Sequence, residues 1–196
     1  TQIRRIRNRD ANMSECYQSI PTLTRRLQYL TEDDANAVSG AERGTIVHLV
    51  LQKLDIKKVS NAREIRAQIK DLVSREIIDK RHVEYIDIDK ILAFFQSEIG
   101  QRAIASKKVF RELAFNLVQK ADQVLDIEGN CGEDLLIQGV IDMCFLEGED
   151  IVLLDYKTDS IFNDDDIGEI VRKYRPQLDV YRLALEKLMN RKVKES

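Results

Sequence analysis

The chain has 196 residues, and its 31 basic and 34 acidic side chains give it a net charge of −3. Its composition, 43% hydrophobic and 33% charged, argues against a disordered chain, and no apolar run approaches the ~20 residues of a membrane helix. We therefore expect one folded domain, or two at most, without an overall positive field of the kind that attracts nucleic acid.

The N-terminal region is basic and polar, and no apolar stretch of the signal-peptide kind follows it, so we expect a cytoplasmic protein. Its four arginines could bind phosphates, but they are more typical of a solvated or truncated end: Arg4, Arg5, Arg7 and Arg9. The cysteines are too few and too scattered for a disulfide framework or a four-thiolate cluster: Cys16, Cys131 and Cys144.

Three helices are predicted in the first half of the chain, where apolar residues recur at helical spacing. The first covers residues 43–55, opens at Gly44 and Thr45, and carries His48 beside its apolar face. The second covers residues 61–78, with Ser60 or Asn61 as its cap. The third follows Asp87 and stops at Gly100.

The pattern changes at residue 107. The segments VFRELAFNLV, LLIQGVIDMCFL and IVLLDYKT predict three strands, with a hairpin turn at Glu147 to Asp150 between the last two. An acidic loop at residues 163–166 then leads to a helix that has Pro176 in its first turn. This order predicts a mixed α/β or α+β fold with a small central sheet. The sequence has no glycine-rich phosphate loop of an ATP motor.

Two acidic residues and a lysine stand out on the predicted hairpin. Asp155 and Lys157 share one face of a strand that is otherwise apolar, and a turn about Gly148 brings Asp142 near Asp155. Two neighbouring carboxylates favour a cation between them, and oxygen ligands suit Mg²⁺ or Mn²⁺. Two plainer interpretations stay open: Asp155 pairs with Lys157 or lies in water, and the aspartates sit at opposite ends of the hairpin.

Five short motifs stand in one order along the chain: G-x-x-x-H at Gly44 to His48, R-E at Arg111 and Glu112, G-x-I-D at Gly139 to Asp142, D-Y-K-T at Asp155 to Thr158, and Q-x-x-x-Y at Gln177 to Tyr181. In this order they resemble the RecB-type nuclease domain of the PD-(D/E)XK superfamily, and most of all the C-terminal nuclease domains of AddA-type helicase-nucleases. The resemblance covers residues 38–190. It implies a restriction-endonuclease-like α/β (α+β) core, a small mixed sheet flanked by helices, in a domain of residues 39–196 after an extension or linker of residues 1–38.

The resemblance also implies a site for Mg²⁺ or Mn²⁺ with four ligands: His48, Asp142, Asp155 and the backbone carbonyl of Tyr156. From the residues alone, His48 could instead simply be a helix histidine with satisfied partners. Hydrolysis of a phosphodiester needs an activated water, a Lewis acid and a cation for the developing charge. Lys157 would stay protonated beside an aspartate and supply the last of these. Relatives with an iron–sulfur cluster use four cysteines, so no such cluster is expected.

Three more residues are candidates for the catalytic site. Gln177 and Tyr181 lie four apart on one helix face, where they could contact phosphate or the water at the metal, although Tyr181 could equally be core. The resemblance implies that an acidic residue at the position of Glu112 lines the site, and the alternative for Glu112 is a pair with Arg111 or another base.

These features lead us to expect a metal-dependent deoxyribonuclease that hydrolyses single-stranded DNA, as the exonuclease module of an AddAB-type helicase-nuclease in double-strand break repair. The resemblance implies the strand ending 3′ as substrate, helicase domains in the same polypeptide, and a second subunit of the AddB type. One alternative is a non-catalytic DNA-binding or subunit-docking module with the same fold, against which the intact Asp142, Asp155 and Lys157 argue. A standalone exonuclease is the other.

Overall fold

The computed structural model describes residues 2–5, 38–120, 134–158 and 164–196. Within these ranges the elements follow in the order β1 (Gln2–Arg5), α1 (Gly40–Lys53), α2 (Ala62–Ser74), a 3₁₀ helix (Lys80–Tyr85), α3 (Ile88–Gln96), α4 (Glu98–Ala105), β2 (Val109–Lys120), β3 (Asp134–Glu147), β4 (Asp150–Leu154), α5 (Asp164–Met189) and β5 (Val193–Glu195). The predictions for Cys16, Cys131, Arg7, Arg9 and Asn163 lie outside the described residues, and the proposed domain division at residues 38 and 39 stays a prediction.

The first predicted helix begins earlier than the sequence suggested. α1 starts at Gly40 rather than at Gly44, because Ser39 caps it: its hydroxyl accepts a hydrogen bond from the Glu42 amide at 3.2 Å, and the Glu42 carboxylate accepts one from the Ser39 amide at 2.7 Å. This reciprocal capping box satisfies two amides that have no partner inside the helix. The predicted cap Asn61 is confirmed for α2, but the helix ends at Ser74 rather than at residue 78.

The third predicted helix is two helices, and Gly100 is not its end. α3 stops before Ser97, whose hydroxyl caps α4 by accepting a hydrogen bond from the Gly100 amide at 3.2 Å. A Cβ on Gly100 would lie only 2.7 Å from the Cα of Phe95. The glycine therefore lets the two helices approach closely.

The predicted strand meander is confirmed, and its sheet gains two further strands. β3 pairs antiparallel with β2 and β4, and the β3–β4 hairpin turns through Gly148, whose φ is +65°. β1 also pairs with β3, and β5 runs parallel to β4. Residues 2–5 therefore form a strand of a five-stranded mixed sheet.

The C-terminal helix differs most from its prediction. α5 begins at Asp164, so the predicted acidic loop is helical from that residue on, and Pro176 lies inside the helix rather than in its first turn. Proline has no amide hydrogen, so the carbonyl four residues earlier loses its helical partner. The helix continues because its second half buries Tyr181, Ala184 and Leu185 against the sheet.

Helices cover both faces of the sheet. α5 packs on one face with Ile151 and Leu153, while Ala103 of α4 packs on the other with Met143 and Phe145. α1, α2 and α3 build a separate helical core around Val50, which lies next to the second face. This α+β arrangement, a small mixed sheet between helices, is the predicted fold. Among the described helices, none is long and apolar enough to cross a bilayer.

Candidate functional site

Three carboxylates from neighbouring strands lie in one row. β2 and β3 pair Arg111 with Met143 and Leu113 with Ile141, so their register sets Glu112 opposite Asp142. β3 and β4 pair Met143 with Leu154, and the same register continued by one residue sets Asp142 opposite Asp155. The predicted meeting of Asp142 and Asp155 therefore follows from the hairpin, and the sheet adds Glu112 on the other side of Asp142.

Asp142 is the middle of this row and is bound from two directions. Its side chain is 6% exposed, and its Oδ1 lies 3.0 Å from His48 Nδ1. Its Oδ2 accepts a hydrogen bond from the Tyr156 amide at 2.9 Å. A carboxylate buried this deeply is stable only with such partners. Asp142 thus joins helix α1 to the segment that follows β4.

His48 stands between two acceptor groups. Its Nδ1 faces Asp142 as described, and its Nε2 lies 3.1 Å from the backbone carbonyl of Tyr156. The ring also meets the Tyr156 ring edge-on at 5.8 Å. One turn earlier on α1, Gly44 allows a close approach of the D-Y-K-T segment, since a Cβ there would lie 3.3 Å from Thr158 Oγ1. The G-x-x-x-H motif therefore holds the histidine against the end of β4.

Glu112 reaches the site through an unusual backbone conformation. Its φ is +51°, a left-handed value inside a strand, and such a conformation costs a residue with a side chain about 1–2 kcal/mol. Its Oε1 lies 3.9 Å from His48 Nδ1. Arg111 was the alternative partner of Glu112. Its guanidinium instead donates hydrogen bonds to the backbone carbonyls of Leu51 and Leu54. Arg111 thus caps the end of α1 beside the site.

Asp155 and Lys157 form an ion pair at the far end of the row. The Asp155 side chain is 5% exposed, and burial raises its pKa while Lys157 opposes that rise. Lys157 also donates to Gln177 Oε1 at 3.2 Å. The predicted juxtaposition of this carboxylate and ammonium is thus present, and the plainer prediction of a mutual pair is also met.

Gln177 links both groups to helix α5. Its amide nitrogen donates to Asp155 Oδ1 at 3.3 Å and lies 2.6 Å from the Tyr181 hydroxyl. Tyr181 is buried, with its ring 5.7 Å from that of Phe115 in an edge-on contact. The two interpretations of Tyr181 therefore hold together: the ring is core, and the hydroxyl orients Gln177.

The site contains a donor set that fits a divalent cation. His48, Glu112 and Asp142 each offer one ligand atom, and these atoms lie within 4.8 Å of one another. Both ring nitrogens of His48 face acceptors, yet a neutral imidazole can donate only one hydrogen bond. The carboxylate and carbonyl oxygens suit Mg²⁺ and Mn²⁺, and the His48 imidazole adds one nitrogen ligand. Of the predicted ligands, the Tyr156 carbonyl adjoins this cluster, whereas both Asp155 oxygens are engaged by Lys157 and Gln177.

One neighbour of the site was missed in the sequence. The Lys157 ammonium lies 4.3 Å from the ring centroid of Tyr174, a cation–π contact that α5 provides. Tyr174 precedes Gln177 by three residues, so the helical repeat places both on one face. That spacing was the available signal, but the helix was predicted to begin with Pro176 in its first turn, which left Tyr174 outside the helical repeat.

Comparison with known proteins extends these observations. Residues 22–196 match the family model described as the PD-(D/E)XK nuclease superfamily. Three curated relatives are named as subunits of an ATP-dependent helicase/nuclease: the chain is 42% identical over 177 residues to the one from Syntrophomonas wolfei, 38% over 200 to that from Clostridium acetobutylicum, and 39% over 178 to that from Alkaliphilus oremlandii. These matches cover 89%, 100% and 90% of the chain but 14%, 16% and 15% of the respective relatives.

Proposed function

The chain belongs to the PD-(D/E)XK nuclease superfamily, and we propose that it hydrolyses phosphodiester bonds of single-stranded DNA with a divalent metal ion. The observation that carries this proposal is the carboxylate row Glu112, Asp142 and Asp155, which has His48 at Asp142 and Lys157 at Asp155. A row of acidic groups at least partly buried, with a histidine on one side and an ammonium on the other, suits phosphoryl chemistry.

His48, Glu112 and Asp142 would hold the metal, together with the Tyr156 carbonyl, and Asp155 is the next carboxylate in reach. When bound, Mg²⁺ or Mn²⁺ would supply a Lewis acid for a phosphoryl oxygen and lower the pKa of a water molecule. The Tyr156 amide keeps Asp142 oriented, because it binds the carboxylate oxygen that does not face His48.

Lys157 would offset the negative charge that develops on the phosphoryl group. The Lys157 side chain is 24% exposed, and its ammonium is ion-paired with Asp155 and bound to Gln177, so the group is positioned from two sides on a side chain that still reaches solvent. Such a preorganised cation stabilises a transition state without reorganising during the reaction. Gln177 and Tyr181 act on this group as positioning residues, since Gln177 contacts both members of the ion pair and Tyr181 fixes Gln177.

The relatives suggest a setting for this activity. Because they are named as subunits of an ATP-dependent helicase/nuclease and are far longer than the chain, we propose that the chain is the exonuclease module of such a protein. Helicase domains in the same polypeptide would deliver the single strand ending 3′, and a second subunit of the AddB type would complete the enzyme. The module would then act in double-strand break repair in the cytoplasm, with Mg²⁺ as the cofactor.

The test is cleavage of end-labelled single-stranded DNA in the presence of Mg²⁺, Mn²⁺ or a chelator. The variants are Lys157→Ala and Asp142→Ala, and Lys70→Ala on the exposed side of α2 is a matched control for removal of a lysine. We expect metal-dependent cleavage that Lys157→Ala lowers by about 10²–10³-fold and that Lys70→Ala leaves unchanged.

Metal binding separates the two variants. By calorimetry with Mn²⁺, Asp142→Ala should lose binding while Lys157→Ala keeps it, because only Asp142 belongs to the donor set. Wild-type protein that binds DNA yet cleaves none with either metal would instead support the non-catalytic docking module. Unchanged activity in Asp142→Ala would refute the proposed site.

A further inference from the structure

The first half of α5 carries an apolar stripe that the core does not bury. Ile167 and Val171 are 47% and 52% exposed, and Tyr174 continues the stripe at helical spacing. Farther along, the same face carries Tyr181 and Leu185, which are buried against the sheet. The stripe is therefore the core-facing side of α5, extended past the region that the sheet covers.

Positive charge flanks this stripe. Lys173 and Arg175 are exposed neighbours of Tyr174 in the chain, and at about 100° per residue they lie on its two sides. The Lys173 ammonium is 4.6 Å from the Tyr174 ring centroid, and the Lys157 ammonium is 4.3 Å from it. Two cations thus meet one aromatic ring, and one of them is the lysine of the candidate catalytic site.

This combination selects a partner by its chemistry. A docking protein helix would use these cations only if acidic residues flanked its own apolar stripe, whereas a single nucleic-acid strand offers flat apolar bases and a phosphate on every unit. A duplex hides its bases from such a stripe. From Val171 to Tyr174 the helix rises about 4.5 Å, close to the ~3.4 Å step between two neighbouring stacked bases.

Resting on the nuclease function proposed above, we propose that Val171 and Tyr174 bind the bases of the strand being cut, while Lys173 and Arg175 bind its phosphates. Tyr174 then connects the two tasks, because its ring supports a base and contacts the catalytic Lys157. The start of α5 is acidic from Asp164 to Asp166, and these residues would repel phosphates. The phosphates therefore lie along residues 171–175, and the strand turns away from the helix before it reaches the first turn.

The test measures binding by fluorescence anisotropy with a chelator present, so that no cleavage occurs. The probes are labelled oligothymidine and an abasic strand of the same length, which carries equal charge without bases. Tyr174→Leu should weaken oligothymidine binding by about five- to 100-fold and leave the abasic strand unaffected. Tyr174→Phe should restore the affinity, and Val171→Ser, one turn farther from Lys157, should reproduce the loss in part.

The cations are tested in the same assay. Lys173→Gln and Arg175→Gln should weaken both strands by the same factor and reduce the salt dependence of binding, whereas Lys70→Gln on α2 should change neither. Equal wild-type affinity for the two strands would overturn the proposal, and so would an equal loss for both in Tyr174→Leu. A shift from dimer to monomer in Val171→Ser, with DNA binding unchanged, would also overturn it and assign the stripe to a protein interface.

Activity with Mg²⁺ distinguishes the two hypotheses. If the protein cleaves DNA but binds oligothymidine and the abasic strand with equal affinity, only the proposal of a base-binding stripe is refuted. If the protein binds oligothymidine more tightly than the abasic strand, and Tyr174→Leu removes this preference, but no DNA is cleaved, only the nuclease function is refuted.

Discussion

The left-handed backbone of Glu112 makes a prediction that combines stability with metal binding. Glycine adopts a φ of +51° without strain, whereas alanine does not. Glu112→Gly and Glu112→Ala both remove the carboxylate, so the difference between them isolates the backbone. Relief of about 1–2 kcal/mol of strain, less about 0.5–1 kcal/mol for the entropy of glycine, should make the glycine variant more stable by about 0.5–1 kcal/mol.

Urea unfolding measures this difference. With a slope of about 2 kcal/mol per molar urea, the midpoint of Glu112→Gly should lie about 0.3–0.5 M above that of Glu112→Ala. Both variants should bind Mn²⁺ about tenfold more weakly than the wild type or worse, because both remove a member of the donor set. These results would show that the backbone of Glu112 is strained in the native site and that this conformation orients its carboxylate toward the metal.

The chain contains its own control. Glu76, after the end of α2, is exposed and has a φ of +57°, so Glu76→Gly and Glu76→Ala should differ in stability by a similar amount without any change in Mn²⁺ affinity. An alanine variant at position 112 as stable as the glycine variant would refute the strain. Full Mn²⁺ affinity in both Glu112 variants would refute the ligand role while leaving the strain intact.

Two further predictions concern the scaffold. Gly100→Ala should destabilise the fold by about 1–3 kcal/mol because its Cβ would overlap the backbone of α3, while Gly168→Ala, in open space on α5, should be neutral or stabilise by up to ~1 kcal/mol; thermal unfolding of both variants checks this. Glu147 binds Arg102 and Lys194, which lower its pKa from 4.5 to about 2. Its contribution to stability is therefore complete above pH 4.5 and lost as the pH falls toward 2, so Glu147→Gln should lower the melting temperature at pH 7 and have little effect near pH 2. An undiminished difference at low pH would contradict this.

The sequence predicts the hairpin and its carboxylates well because both are set locally. A turn at Gly148 and the antiparallel register of β3 and β4 are enough to bring Asp142 to Asp155. Glu112 needs more: its place beside Asp142 depends on the register between β2 and β3, which are separated in the chain by residues 121–133. Local pattern does not fix such a register, so the residue could be placed only through the resemblance.

Long-range pairing and packing explain the clearest error and one strand that the sequence did not predict. A proline normally marks the start of a helix or breaks one, yet α5 runs through Pro176 because the burial of Tyr181 and Leu185 stabilises the helix beyond it. Residues 2–5 carry no strong strand pattern, and they are extended because β3 presents an edge at residues 135–138. In both cases the partner that decides the structure is distant in sequence.

The place where β4 ends matters for the site. Its ladder with β3 stops at Leu154, so the amide and carbonyl of Tyr156 are available to bind Asp142 and His48. Continued pairing would set Tyr156 opposite Ile141 and commit these groups to the sheet. Because the strand ends two residues earlier, one peptide segment binds α1 through its backbone and α5 through the side chains of Asp155 and Lys157. The helices on the two faces of the sheet therefore meet at the D-Y-K-T segment, and the geometry of the site depends on both.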